Sequence, residues 1–93
     1  MKVKLRPFDP SEFLDNDEVI AEYLTAALED PNPEVFLYAI GNVAKARGMR
    51  SIAAKTGLGR ESLSEVFAPG AKPRYETVFK VLRSLGVKLT VVA

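Results

Sequence analysis

Residues 60–65 read RESLSE and place one arginine, two glutamates and two serines within a single short segment. Arg60, Glu61, Ser62, Ser64 and Glu65 supply a guanidinium fork, carboxylates and hydroxyls. Such groups read patterns of donors and acceptors. Arginine presents paired donors to guanine, glutamate accepts from the cytosine amine, and serine bonds to either kind of base edge. Bond-breaking chemistry has far less to work with. The chain contains no histidine and no cysteine, which removes the commonest general base, the thiolate nucleophile and the usual zinc ligands. Asp15 and Glu18 are paired carboxylates, but their spacing suits a helix start. Gly57-Leu58-Gly59 is too short for a phosphate-cradling loop and lacks its lysine. The expectation is a non-enzymatic protein with no metal and no cofactor.

The recognition groups need a scaffold. The stretch Gly48 to Phe67, GMRSIAAKTGLGRESLSEVF, reads as helices over about 50–56 and 60–67 joined by a tight turn. The crossing needs a small residue, here Ala53, and the chain reversal favours a glycine in a left-handed conformation, here Gly57. Ile52, Leu58, Leu63 and Val66 take the inward positions, with Thr56 tolerated beside them. Arg60, Glu61, Ser64 and Glu65 then point outward, with Ser62 partly so. This is the pattern of a helix-turn-helix (unit about 49–67), whose second helix lies in the DNA major groove. Arg50, Lys55, Lys72 and Arg74 flank that surface and are positioned by sequence to reach phosphates. The second helix carries a charge of −1, and glutamate repels phosphate. Either Glu61 and Glu65 help to specify bases, or one of them orients Arg60. Gly59 at the cap of that helix is weaker than serine or asparagine would be.

The remaining elements enclose this unit. Asp9, Pro10 and Glu12 form a helix start, with Phe8 and Phe13 as a staple. A second start follows, with Asp15 as cap, Glu18 as its reciprocal partner, and Leu14 meeting Val19. The helix over 16–29 turns Ile20, Tyr23, Leu24, Ala27 and Leu28 inward. Asn32 caps the next helix with Pro33 at its first position, and Phe36, Ile40, Val43, Ala44 and Arg47 recur at helical spacing. Gly41 inside it marks the close approach of another helix. A last helix over 74–85 turns Val78, Phe79, Leu82 and Leu85 inward and stops at Gly86. The tail VKLTVVA is β-branched and reads as a strand, which must pair with residues 2–5 or with a second subunit. Val81, Val87, Leu89 and Val91 are the expected dimer surface. The fold class is therefore all-α: five helices in one domain over 1–93, plus a short C-terminal strand belonging to the segment 74–92.

Charge divides the chain. Residues 1–32 hold three basic and eight acidic side chains, and residues 33–93 hold ten basic and four acidic ones, within a net charge of +1. A basic face suits phosphates, and the acidic segment 9–30 suits a basic partner. Asp15, Asp17, Glu18 and Glu22 are the candidate partner-binding residues. No apolar run is long enough for a membrane span, and the N-terminus lacks an apolar signal core, so a cytoplasmic protein is expected.

The segments FDPSEFLDNDEVIAEYLTAALED, NVAKARGMRSIAAKTGLGRESLSEVF and KPRYETVFKVLRSLGVKLTV together resemble the addiction-module antidote proteins that carry a Cro/C1-type (lambda-repressor-like) helix-turn-helix. The most specific part is AKARGM–IAAKTGL–RESL. The chain departs from the common pattern at Met49, where glutamine is frequent, and at Gly59, where serine is frequent. The resemblance implies a lambda-repressor-like domain that represses its own promoter. It also implies a partner, a small basic toxin of the RelE/ParE-like type. Position by position, its base-reading surface falls on Arg60, Glu61, Ser62, Ser64 and Glu65.

The leading expectation is a homodimeric repressor of double-stranded DNA, bound at an inverted repeat, that also neutralises a toxin. The alternative is a protein-interaction module whose helix-turn-helix is architectural and binds no specific DNA.

Overall fold

The computed structural model describes residues 9–93. The expected arm over 2–5 and the Phe8 side of the first staple lie outside the described residues. A 3-10 turn, Pro10–Phe13, leads into five α-helices: α1 Asp17–Glu29, α2 Pro33–Arg47, α3 Met49–Thr56, α4 Arg60–Val66 and α5 Tyr75–Ser84. No strand occurs among the described residues, and none of their helices is long and apolar enough to cross a membrane.

Local chemistry sets the helix ends. Asp9 caps the 3-10 turn, accepting from the Ser11 amide at 3.1 Å and the Ser11 hydroxyl at 2.8 Å. Asn16, and not the expected Asp15, caps α1, its amide oxygen accepting from Val19 N at 2.9 Å. The cap must sit one residue before the first helical position, and Asp15 is one residue too early. Asn32 accepts from Glu34 N at 3.0 Å and Pro33 opens α2, as the sequence predicts. Asp17, Glu18 and Glu34 place negative charge in first turns, where the helix dipole favours it. At Gly86 the chain leaves α5 through a left-handed turn, with Val87 N bonded to Leu82 O and Gly86 N to Arg83 O, both at 3.0 Å. This paired 6→1 and 5→2 arrangement satisfies the last free carbonyls.

The core runs through α2. Ala39, Ile40, Val43 and Ala44 are buried there, meeting Leu14 before α1, Ile20, Leu24 and Ala27 of α1, Ile52 of α3, Leu63 of α4, and Val81 and Leu82 of α5. Full burial of a side chain such as Ile52 or Leu63 contributes about 1.5–3 kcal/mol. Among the described residues no polar or charged side chain is buried. Tyr23 reaches across from α1 so that its hydroxyl accepts from Asn42 Nδ2 at 2.9 Å. Among the described residues, two ion pairs tie the acidic N-terminal part to the end of α2. Lys45 Nζ stands 2.7 Å from Asp9 Oδ2, and Arg47 pairs with Asp17.

Besides the cap of α1, four expectations change. Leu28 and Phe79, expected inward, are exposed. Val81, expected at a dimer surface, is fully enclosed and belongs to the intramolecular core. Residues 87–93 form no strand in the single chain, because a terminal strand has no ladder bonds without a partner.

Candidate nucleic-acid interface

The α3–turn–α4 unit is assembled from backbone conformation and two buried anchors. Gly57 ends α3 at φ 75° and ψ 4°, and its amide bonds to Ala53 O at 3.0 Å. A side chain is disfavoured at that φ, which is why glycine suits the turn. Thr56 closes the corner. Its hydroxyl donates to Ile52 O at 2.8 Å and accepts from Leu58 N at 3.3 Å. Ile52 and Leu63 are buried and Ala53 and Leu58 half-buried, so both helices are pinned to the core. Gly59 precedes α4 without a side-chain capping bond, and Leu63 N bonds to its carbonyl at 2.9 Å.

With Leu63 directed inward, the outer face of α4 is set. Arg60, Glu61, Ser62, Ser64 and Glu65 are all exposed. Arg60, Glu61, Ser64 and Glu65 line one shallow, open depression. Arg60, Glu61 and Glu65 make no ion pair among the described residues, and helix geometry explains this. Arg60 and Glu61 are neighbours and diverge around the helix, and Glu65 is five positions beyond Arg60, past the favourable three or four. Glu65 also lies near the C-terminal end of α4, where the helix dipole disfavours an acid.

The four expected phosphate-contact residues are all exposed, and Lys72 and Lys55 line different clefts. Lys72 shares a cleft with Ser62 and Glu65 of α4 and Thr77 of α5. Arg74 precedes α5 at that same end, and Arg50 lies in the first turn of α3. Lys55 instead shares a cleft with Lys80, Arg83 and Ser84, at the opposite end of α5. A ten-residue helix separates its ends by roughly 15 Å.

Sequence reasoning missed a ladder on the outer face of α5. The rings of Tyr75 and Phe79 stand 5.9 Å apart, and the Arg83 guanidinium lies 5.6 Å from the Phe79 centroid. The signal was present as Tyr75, Phe79 and Arg83 at successive four-residue spacings. Tyr75 is 71% exposed and adjoins Arg74.

The acidic candidates gather on α1 and its approach, and Asp15, Asp17, Glu18 and Glu22 are all exposed. Asp17 is engaged by Arg47, and Asp15 accepts from Asn16 Nδ2 at 3.3 Å. Glu18 and Glu22 make no ion pair among the described residues. Of the remaining dimer candidates, Val87 is half-buried, and Leu89 and Val91 are exposed. Val87 and Leu89 form one wall of a groove of about 430 Å³, opposite Ile20, Leu24 and Leu28 of α1.

A family described as "Probable addiction module antidote protein" matches residues 4–93. An uncharacterised protein of Haemophilus influenzae is 36% identical over 91 residues, covering 98% of this chain and 94% of that relative. No solved structure matches the chain.

Proposed function

This chain belongs to the family of probable addiction module antidotes, and we propose that it acts as the antitoxin of a toxin–antitoxin module and as the repressor of its own promoter. An antidote has a toxin to neutralise. The DNA-binding half of the proposal rests on one observation above all: α4 exposes Arg60, Glu61, Ser64 and Glu65 together while Leu63 anchors it in the core. Lys72 shares a cleft with Ser62 and Glu65 of α4, and Arg74 follows it at the start of α5. In this reading α3–Gly57–α4 is a helix-turn-helix of the Cro/C1 type in a lambda-repressor-like domain. Base edges are read by α4, and phosphates are held by Lys72, Arg74 and Arg50.

One short helix reads only a few base pairs, so specific binding calls for two copies on half-sites about 34 Å apart, an inverted repeat. Leu89, Val91 and the half-buried Val87 supply apolar surface for such a homodimer, in which residues 87–92 gain a strand partner. The toxin is proposed to be small, basic and of the RelE/ParE-like type. Its docking surface is the acidic side of α1 around Glu18 and Glu22, whose carboxylates make no ion pair among the described residues. Reversing both charges should weaken toxin binding and leave DNA binding intact.

The test is a gel-shift titration on DNA from upstream of the gene, against scrambled competitor, at two salt concentrations. The reading expects a specific, salt-sensitive shift that Arg60→Ala removes. A second reading, an interaction module without specific DNA binding, draws on the two unpaired glutamates of α4. Equal affinity for operator and scrambled DNA would favour it.

A further inference from the structure

Resting on the DNA-binding reading above, we infer that Glu61 and Glu65 select cytosine, so that each operator half-site presents cytosine amines to α4. The two carboxylates share the outer face of α4 with Arg60 and Ser64. They are one helical turn apart and repel each other. Among the described residues neither has an ion-pair partner, and neither stands at the three- or four-residue spacing from Arg60 that favours a pair. Arg60 is the basic residue lining their depression, and Lys72 stands in the adjoining cleft on the Glu65 side. Glu65 carries the further cost of lying at the negative end of its helix.

A face built this way is poorly suited to phosphates, which repel both carboxylates. It is suited to hydrogen-bond donors. In the major groove the bases offer two such donors, the cytosine 4-amino group and the adenine 6-amino group. Adenine presents its N7 acceptor beside the amine, and a carboxylate is repelled there. Cytosine presents the amine with no adjacent acceptor on its edge, and a carboxylate fits it. Arg60 on the same face fits guanine O6 and N7. The face as a whole therefore matches G·C and C·G pairs. The carboxylates add discrimination by penalising every sequence that leaves them against acceptors alone. Negative charge on a reading helix lowers affinity for DNA at large while sparing the site that supplies amines.

The experiment is selection of bound duplexes from a randomised DNA library by the full-length protein, by Glu61→Gln and by Glu65→Gln. Both positions are exposed and make no ion pair among the described residues, so the variants keep the fold, as melting curves will verify. Glutamine retains the shape but pairs with adenine N6 and N7. The expected result is a symmetric motif with cytosine at defined positions. One position per half-site should switch to adenine in each variant, with about a tenfold loss on the original site. A wild-type motif that persists unchanged in both variants overturns the inference and leaves the repressor reading standing. Tighter binding of the variants to all sequences with no change of motif does the same. If the wild-type protein enriches no motif, the DNA-binding reading fails and takes this inference with it.

Discussion

Gly41, in the middle of α2, lies against Phe67, the residue that ends α4: a Cβ on Gly41 would stand 3.1 Å from Phe67 Cβ and 3.2 Å from its Cγ. The contact sets how closely the end of α4 approaches the central helix, and therefore where the outer face of α4 points. A helix-interior glycine costs about 1 kcal/mol in propensity relative to alanine. The close packing of the phenyl ring is what that cost obtains.

The sign of an alanine substitution should consequently depend on the ring. Gly41→Ala in the natural chain gains about 1 kcal/mol of propensity but crowds Phe67, and overpacking costs about 1–3 kcal/mol. The expected net effect runs from neutral to a loss of about 2 kcal/mol. In a Phe67→Ala background the crowding is gone, and the same substitution should stabilise by up to about 1 kcal/mol. Denaturant unfolding of the four proteins measures this. Additive effects would mean that the two residues do not constrain each other.

The turn between α3 and α4 gives a second ranking. A Cβ on Gly57 meets nothing within 4 Å, so only its φ of 75° opposes a side chain. The expected order of melting temperatures is Gly, then Asn, then Ala, then Val, because asparagine tolerates the left-handed region and β-branched residues do not. The alanine variant should lose about 1–2 kcal/mol, several degrees for a domain of this size. Equal melting of Gly57→Val and the natural protein would contradict the turn.

Much of this was legible in the sequence, for reasons that differ by residue. Asn32-Pro33, Gly48, Gly57 and Gly86 act through local backbone chemistry, and each ends or begins a helix where the sequence predicts. The outward set on α4 follows from Leu63 alone once helical period is applied. Gly41 announced a close neighbour but not which one, since Phe67 reaches it through the tertiary fold. The choice between Asp15 and Asn16 as cap was open because both residue types accept the same bond. Val81 and Phe79 were misplaced in opposite directions. Both are apolar residues of α5, and the packing of that helix in the tertiary fold decides which is covered. Lys55 looked equivalent to Lys72 in composition, and only the packing of α5 separates them.

The Asp9–Lys45 pair predicts a pH dependence with a definite sign. The Lys45 ammonium bonded to Asp9, followed by the hydroxyl and amide of Ser11, lowers the Asp9 carboxyl from 3.8 to about 2. Lys45 is raised in turn by the same hydrogen bond. A depressed folded value means that this contribution is present above the unfolded value near 3.8 and is lost as pH falls through about 2. Lys45 is exposed and Asp9 only half-buried, so solvent screens the pair and the effect on stability should be small. Carboxyl titration by NMR should show Asp9 well below the ordinary aspartate range in the natural protein. In Lys45→Ala it should move back up. An unchanged midpoint would mean that the pair does not persist in solution.

The division of the basic residues gives a prediction that also tests where DNA lies. If α4 reads base edges, Lys72 lies beside it, Arg74 stands next along the chain at the start of α5, and Lys55 lies near the far end of α5. Lys72→Ala and Arg74→Ala should each weaken binding to all sequences alike and lower the salt slope by about 1. Lys55→Ala should change neither, although composition ranks it with the others. The measurement is Kd against salt concentration for the three variants on one duplex. A slope lowered by Lys55→Ala and untouched by Lys72→Ala would place the phosphate backbone along the Lys55–Lys80–Arg83 cleft. In that case α4 would lie outside the groove, and its glutamates would have to answer to a different partner.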